Sequence, residues 1–89
     1  MHNSRLVNHK GDPVAEYSYT VLFEELAEGG YQVFVPAMPE ICTYGRTLTE
    51  AREMAADAIR CVLMSARKLG EAVPEDIQPA TERVAVSLP

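Results

Sequence analysis

The sequence predicts an α+β fold: an antiparallel β-sheet of three to four strands covered by one long α-helix, in the order β-β-β-α-β. Three observations carry that prediction. Two runs of alternating apolar and polar residues flank the pair Gly29-Gly30. A long apolar stripe at helical spacing follows Thr47 and Glu50. A last alternating run occupies residues 82–88. Period-2 alternation marks a strand with one buried face, and a stripe recurring every three to four residues marks an amphipathic helix.

The elements follow in chain order. Residues 1–14 carry little pattern, and Gly11-Asp12-Pro13 is turn chemistry, so residues 1–16 are expected to be a mobile or edge segment. In residues 17–24, Tyr17, Tyr19, Val21 and Phe23 fall on one face and are expected to point to the core, with Leu22 out of phase. Gly29-Gly30 supplies a turn that tolerates positive φ, and residues 31–35 alternate again, which together read as a hairpin. Pro36 removes a ladder donor and ends that strand; Pro36-Ala37-Met38-Pro39 makes a stiff corner. Residues 41–44 are a short third strand, closed by Gly45.

The helix signal is the strongest. Thr47 and Glu50 have the capping-box spacing, in which each side chain satisfies an orphan N–H. Leu48, Ala51, Ala55, Ala58, Ile59, Val62, Ala66 and Leu69 form one apolar stripe, and its alanines let the helix lie close on a sheet. Gly70 fits a C-cap, with Arg67 and Lys68 at the negative end of the helix dipole. After a polar loop bounded by Pro74 and Pro79, residues 82–89 read as a C-terminal strand with Val84, Val86 and Leu88 on one side.

At 89 residues the chain is one small domain with little core to spare. Met1-His2-Asn3-Ser4-Arg5 lacks the apolar run of a secretory leader, and Cys61-Val62-Leu63-Met64 is far too short to span a bilayer. The expectation is a cytoplasmic protein with Cys42 and Cys61 reduced and buried as small hydrophobes. The net charge of −5 gives no general attraction for phosphate backbones, so nucleic-acid binding by this chain alone is not expected, whereas a basic protein is drawn to it.

Catalytic motifs are missing: the sequence has no GxSxG, phosphate-binding loop, HExxH or CxxC. Glu50 is accounted for as a cap, Glu24, Glu25 and Glu28 edge a turn, and His2 and His9 read as solvated, so no metal, cofactor or enzymatic role is expected. A protein-binding role fits better. Tyr44 alternates with Ile41 and Thr43 and is expected to point outward. Met38, Glu40, Ile41, Tyr44 and Arg46 cluster around the proline corner as a candidate partner-binding surface, and Tyr and Met are favoured at interfaces.

The ordered combination of a strand ending in Phe23, Gly29-Gly30-Tyr31, Val33-Phe34-Val35-Pro36, Pro39, Cys42-Thr43, Gly45, Thr47, Thr49-Glu50-Ala51, Ala55, Ala58-Ile59, Gly70 and Val73-Pro74 is similar to the HicB antitoxin family. The resemblance covers residues 17–74. It implies a partial RNase-H-like fold without the nuclease carboxylates, and an antitoxin that neutralises HicA, a small basic toxin that cleaves messenger RNA, by protein–protein occlusion. The sequence departs from the family at Ala37 and Arg46, where acids are usual, and at Ile41, where glycine is usual.

Longer members add a DNA-binding tail; the 15 residues after Pro74 are too few for one, which predicts a short stand-alone member. Residues 83–89 resemble the opening strand of such ribbon-helix-helix tails, and with the small core they predict a homodimer or higher oligomer joined through Val84, Val86 and Leu88. The competing readings are a residual RNase-H-like nucleic-acid-processing protein and an orphan interaction domain with another partner.

Overall fold

The structure is a computed structural model that describes residues 6–7, 13–14 and 16–89. β1 (Leu6–Val7) and β2 (Pro13–Val14) pair antiparallel, with Leu6 opposite Val14 and Val7 opposite Pro13. The turn expected at Gly11-Asp12, both histidines and most of the segment 1–16 expected to be mobile lie outside the described residues.

The main sheet holds β3 (Leu22–Glu25), β4 (Tyr31–Phe34) and β5 (Thr43–Gly45), in the order β3-β4-β5 and antiparallel throughout. The α+β architecture expected from the sequence is therefore present, as three strands followed by one helix. Gly29 N–H donates to Leu26 O at 2.9 Å and Leu26 N–H donates to Gly30 O at 2.9 Å. Gly29 (φ 101°) and Gly30 (φ 86°) both take backbone conformations that side-chain-bearing residues rarely adopt. The hairpin is thus a tight turn followed by a glycine bulge, which matches the right-handed twist of the strands it joins.

Helix α1 (Leu48–Leu69) packs Ala51 and Ala55 into the core against the sheet, and Ala66 near its end is buried as well. Both predicted caps form. Glu50 N–H donates to Thr47 Oγ1 at 3.0 Å, and the returning bond runs from Arg46 N–H to Glu50 Oε1 at 3.0 Å, one residue earlier than in the usual box. Gly70 (φ 70°) donates to Arg67 O and Glu71 donates to Ala66 O, the paired bonds of a Schellman motif. Gly45 has a packing reason of its own: a Cβ there would strike the backbone of Ala51, so only glycine lets the first turn of α1 approach β5 this closely. The core is Val33, Val35, Met38, Ile41, Ala51 and Ala55, with Tyr19, Val21, Phe23 and Tyr31 packed at its edge.

Four expectations need correction. Residues 82–88 form no strand: residues 71–89 carry no regular structure, and Val84, Val86 and Leu88 stand 76%, 81% and 88% exposed. Alternation marks a segment as strand-like, but a strand also needs a neighbouring backbone, and this segment pairs with none among the described residues. The first strand of the sheet begins at Leu22, because the register that sets Leu22 opposite Phe34 brings Thr20 level with Pro36, which has no N–H to give; Tyr17 is accordingly exposed. The third begins at Thr43, because Ile41 closes a turn. Cys42 and Cys61 are free but exposed, since Cys42 follows that turn and Cys61 lies off the helix stripe.

Candidate functional site

The corner between β4 and β5 is two successive turns, each with proline at its second position. Met38 N–H donates to Val35 O at 2.8 Å, and Ile41 N–H donates to Met38 O at 3.0 Å. Pro36 and Pro39 preset φ for those positions, so the corner loses little conformational entropy on folding. The geometry divides the five residues expected there. Met38, with no exposed surface, and Ile41, 8% exposed, turn inward and lock the corner to the core. Glu40, Tyr44 and Arg46 turn outward.

Tyr44 is more than a solvated aromatic. Its ring lies over Gly30, where a Cβ would collide with it, and its hydroxyl donates to Gly29 O at 3.3 Å. Gln32 stands opposite Tyr44 across the ladder and donates its Nε2 hydrogen to Thr43 O at 3.1 Å. Tyr44 is therefore held at one end by the hairpin and on one side by β4, yet stays 41% exposed.

The sequence reading missed two companions. Leu22 and Phe34 are cross-strand partners, and both are exposed. With Tyr44 they make the sheet face opposite α1 an open, largely apolar surface, edged by Glu24. The signal was available in the alternation itself: Leu22 is out of phase with Val21 and Phe23, and Phe34 with Val33 and Val35. Out-of-phase large apolar residues on a two-layer fold belong to the uncovered face.

A separate polar cluster ties the chain after α1 back to the residues before β3. Tyr19 O–H donates to Pro74 O at 2.6 Å; Thr20 donates its N–H to Asp76 Oδ1 at 2.7 Å and its hydroxyl to Asp76 Oδ2 at 2.9 Å. The Thr20 N–H holds the Asp76 carboxyl below the usual carboxylate range, and burial pushes the Tyr19 phenol up. Among the described residues no three His, Cys, Asp or Glu side chains gather as metal ligands, and no helix is long and apolar enough to cross a membrane.

No protein-family profile matches the chain. Individual proteins do. UPF0150 protein Ta0767 of Thermoplasma acidophilum is 40% identical over 58 residues, which cover 65% of this chain and 84% of that protein. The chain belongs to the UPF0150 family. It is also 51% identical over 41 residues to Antitoxin HicB 1 of Photorhabdus laumondii, a stretch that covers 46% of this chain and 26% of that longer protein. This UPF0150 protein is thus HicB-like, as the ordered motif in its sequence implied.

Proposed function

We propose that this protein is an antitoxin that acts in the cytoplasm by binding, not by catalysis. Its partner is a small, basic HicA-type toxin that cleaves messenger RNA, and it neutralises that toxin by occluding it. The observation that carries the proposal is the open sheet face of Leu22, Phe34 and Tyr44, joined to the corner residues Glu40 and Arg46, in a chain whose relatives include a named HicB antitoxin. Rigid aromatic anchors on a strand scaffold, rimmed by charge, are the composition of a protein-binding surface. The net charge of −5 steers a basic partner toward it. Met38 and Ile41 serve this surface from beneath by fixing the corner.

The test is co-expression with the neighbouring short basic reading frame. The two proteins should co-purify, and growth arrest by the basic protein alone should be relieved. Failure of every basic neighbour to bind sinks the reading. The acids nearest the sheet edge the hairpin, and Glu50 is engaged as a cap, so the purified chain should not cleave RNA–DNA hybrids or single-stranded RNA with magnesium or manganese; cleavage abolished by one acidic substitution would revive the nuclease alternative.

A further inference from the structure

α1 packs chiefly against β5 and β4 and covers the helix-side face of β3 only in part, leaving Val21 and Phe23 half-buried at the edge of the core. The result is an open groove of ≈ 300 Å³ between β3 and the helix, lined by Val21, Phe23, Arg52, Ala55, Ala56 and Ile59. Only Arg52 among these is charged. The groove runs along a free sheet edge, because β3 has one ladder partner among the described residues. Leu26 N–H bonds toward β4, and the alternation of an antiparallel ladder then turns the backbone groups of Val21, Phe23 and Glu25 to the outer edge. An apolar groove beside unpaired backbone donors and acceptors is a receptor for one more strand.

The same chain carries a segment of the matching kind. Residues 82–88 place Glu82, Val84, Val86 and Leu88 on one side and Arg83, Ala85 and Ser87 on the other. Val84, Val86 and Leu88 all stand in solvent, more exposed than any large apolar residue of the sheet or helix. The segment also complements the groove in charge, since Glu82 shares the apolar side and Arg52 is the groove's one cation. Among the described residues the tail does not enter its own chain's groove: it is pinned at Asp76 to Thr20, passes Pro79 and continues without regular structure.

We propose that the groove takes residues 82–88 of a second copy of this chain, added as a strand along the outer edge of β3 with Val84, Val86 and Leu88 facing α1. A reciprocal exchange makes a closed two-fold dimer in which each chain completes the other's sheet. Two exchanged seven-residue strands bury on the order of 800 Å² per partner, the size of a standard stable interface. The dimer stands or falls independently of the toxin reading, because it uses the edge of β3 and not the open sheet face.

The full chain, measured by light scattering and sedimentation at high micromolar concentration, should have twice its 9.8 kDa mass. Val86→Asp in the tail and Ala56→Arg in the groove are both at exposed positions, so circular dichroism should stay unchanged. Each should weaken self-association by about tenfold or more. Met64→Asp, at an exposed apolar site on another part of α1, should leave the dimer intact. A monomeric wild type overturns the proposal. So does a dimer that ignores Val86→Asp or Ala56→Arg, or one that Met64→Asp disrupts equally. Hydrogen exchange gives a second reading: amides of residues 83–88 should be protected in the dimer and become unprotected on dilution to monomer. Protection that persists in a monomer would mean the tail pairs with its own sheet.

Discussion

The stretch from Leu22 to Gly70 and the stretch from Glu71 to Pro89 are written in similar residue patterns but behave differently. Both contain alternating apolar residues and prolines. In the first, every segment finds its hydrogen-bond partner within a short reach of chain: the hairpin closes through Leu26 and Gly30, the corner through Val35, Met38 and Ile41, the helix through Thr47 and Gly70. In the second, Val84, Val86 and Leu88 alternate as regularly as Val33 and Val35 do, yet remain in water. Alternation describes what one face of a strand buries. Whether the strand exists depends on a neighbouring edge, and the alternating runs of the two stretches differ in that respect among the described residues.

The sharpest test of this difference is to remove equivalent apolar bulk from each side. Met38→Ala empties the centre of the core and should cost about 2–5 kcal/mol, enough to unfold much of so small a domain. Removing residues 82–89 takes away three large apolar side chains. In dilute monomer it should leave the unfolding free energy, read by urea titration, nearly unchanged. At high concentration it should lower both mass and melting temperature. A truncation that destabilises the dilute monomer as much as Met38→Ala would show that the tail belongs to its own core.

The outward half of the first region comes next in size. With the basic partner in hand, Tyr44→Ala should weaken the complex by ~1–2 kcal/mol, with Phe34→Ala similar, while the helicity of the free protein stays intact. Calorimetric titration of each variant measures this. Unchanged affinity for Tyr44→Ala, Phe34→Ala and Arg46→Ala together would remove the open face from the binding site.

Thr47→Ala probes a purely local signal. Deleting the cap that receives the Glu50 N–H should cost about 1 kcal/mol and fray the first turn of α1. A stability loss below measurement error would mean that Gly45 and the packing of Ala51 hold the helix start without it.

What the sequence made legible follows the same division. The helix with both caps, the Gly-Gly hairpin and the proline corner were readable because each is encoded by residues within a few positions of one another. The outward stance of Tyr44 followed from its phase in a strand. The inward stance of Met38 did not, because a residue at the fourth position of one turn and the first of the next has no period to reveal its direction. Leu22 reads as a break in the core pattern and Phe34 as the polar-side position of a regular alternation, so neither stands out locally as a member of a second apolar face. The unpaired tail was illegible in principle from alternation, since the missing quantity was a partner edge elsewhere. The length lost from the first strand is the consequence of Pro36 just beyond the end of β4, a register effect that no window of local sequence contains.

The smallest effect expected is at the joint between the two regions. Asp76 accepts from both the N–H and the hydroxyl of Thr20, and the backbone bond is the main reason its carboxyl stays ionised below the usual range. The sign of the pH dependence follows. A carboxylate whose folded pKa is depressed adds stability that is fully present above its unfolded value of 3.8, and that is lost as pH falls through the lower folded value. Neutral solution therefore holds the joint closed, and acid releases it. Because Asp76 is fully exposed, water competes for the same bonds, and global unfolding should barely register the change. The local readout is the exchange rate of the Thr20 amide, which should rise on acidification beyond the intrinsic pH trend. Asp76→Ala should raise it at neutral pH, while amides in β4 and α1 keep their protection. If Thr20 exchanges equally fast in wild type and variant, the tail is not pinned there, and the comparison between a closed region and an open one would have to be redrawn upstream of Pro74.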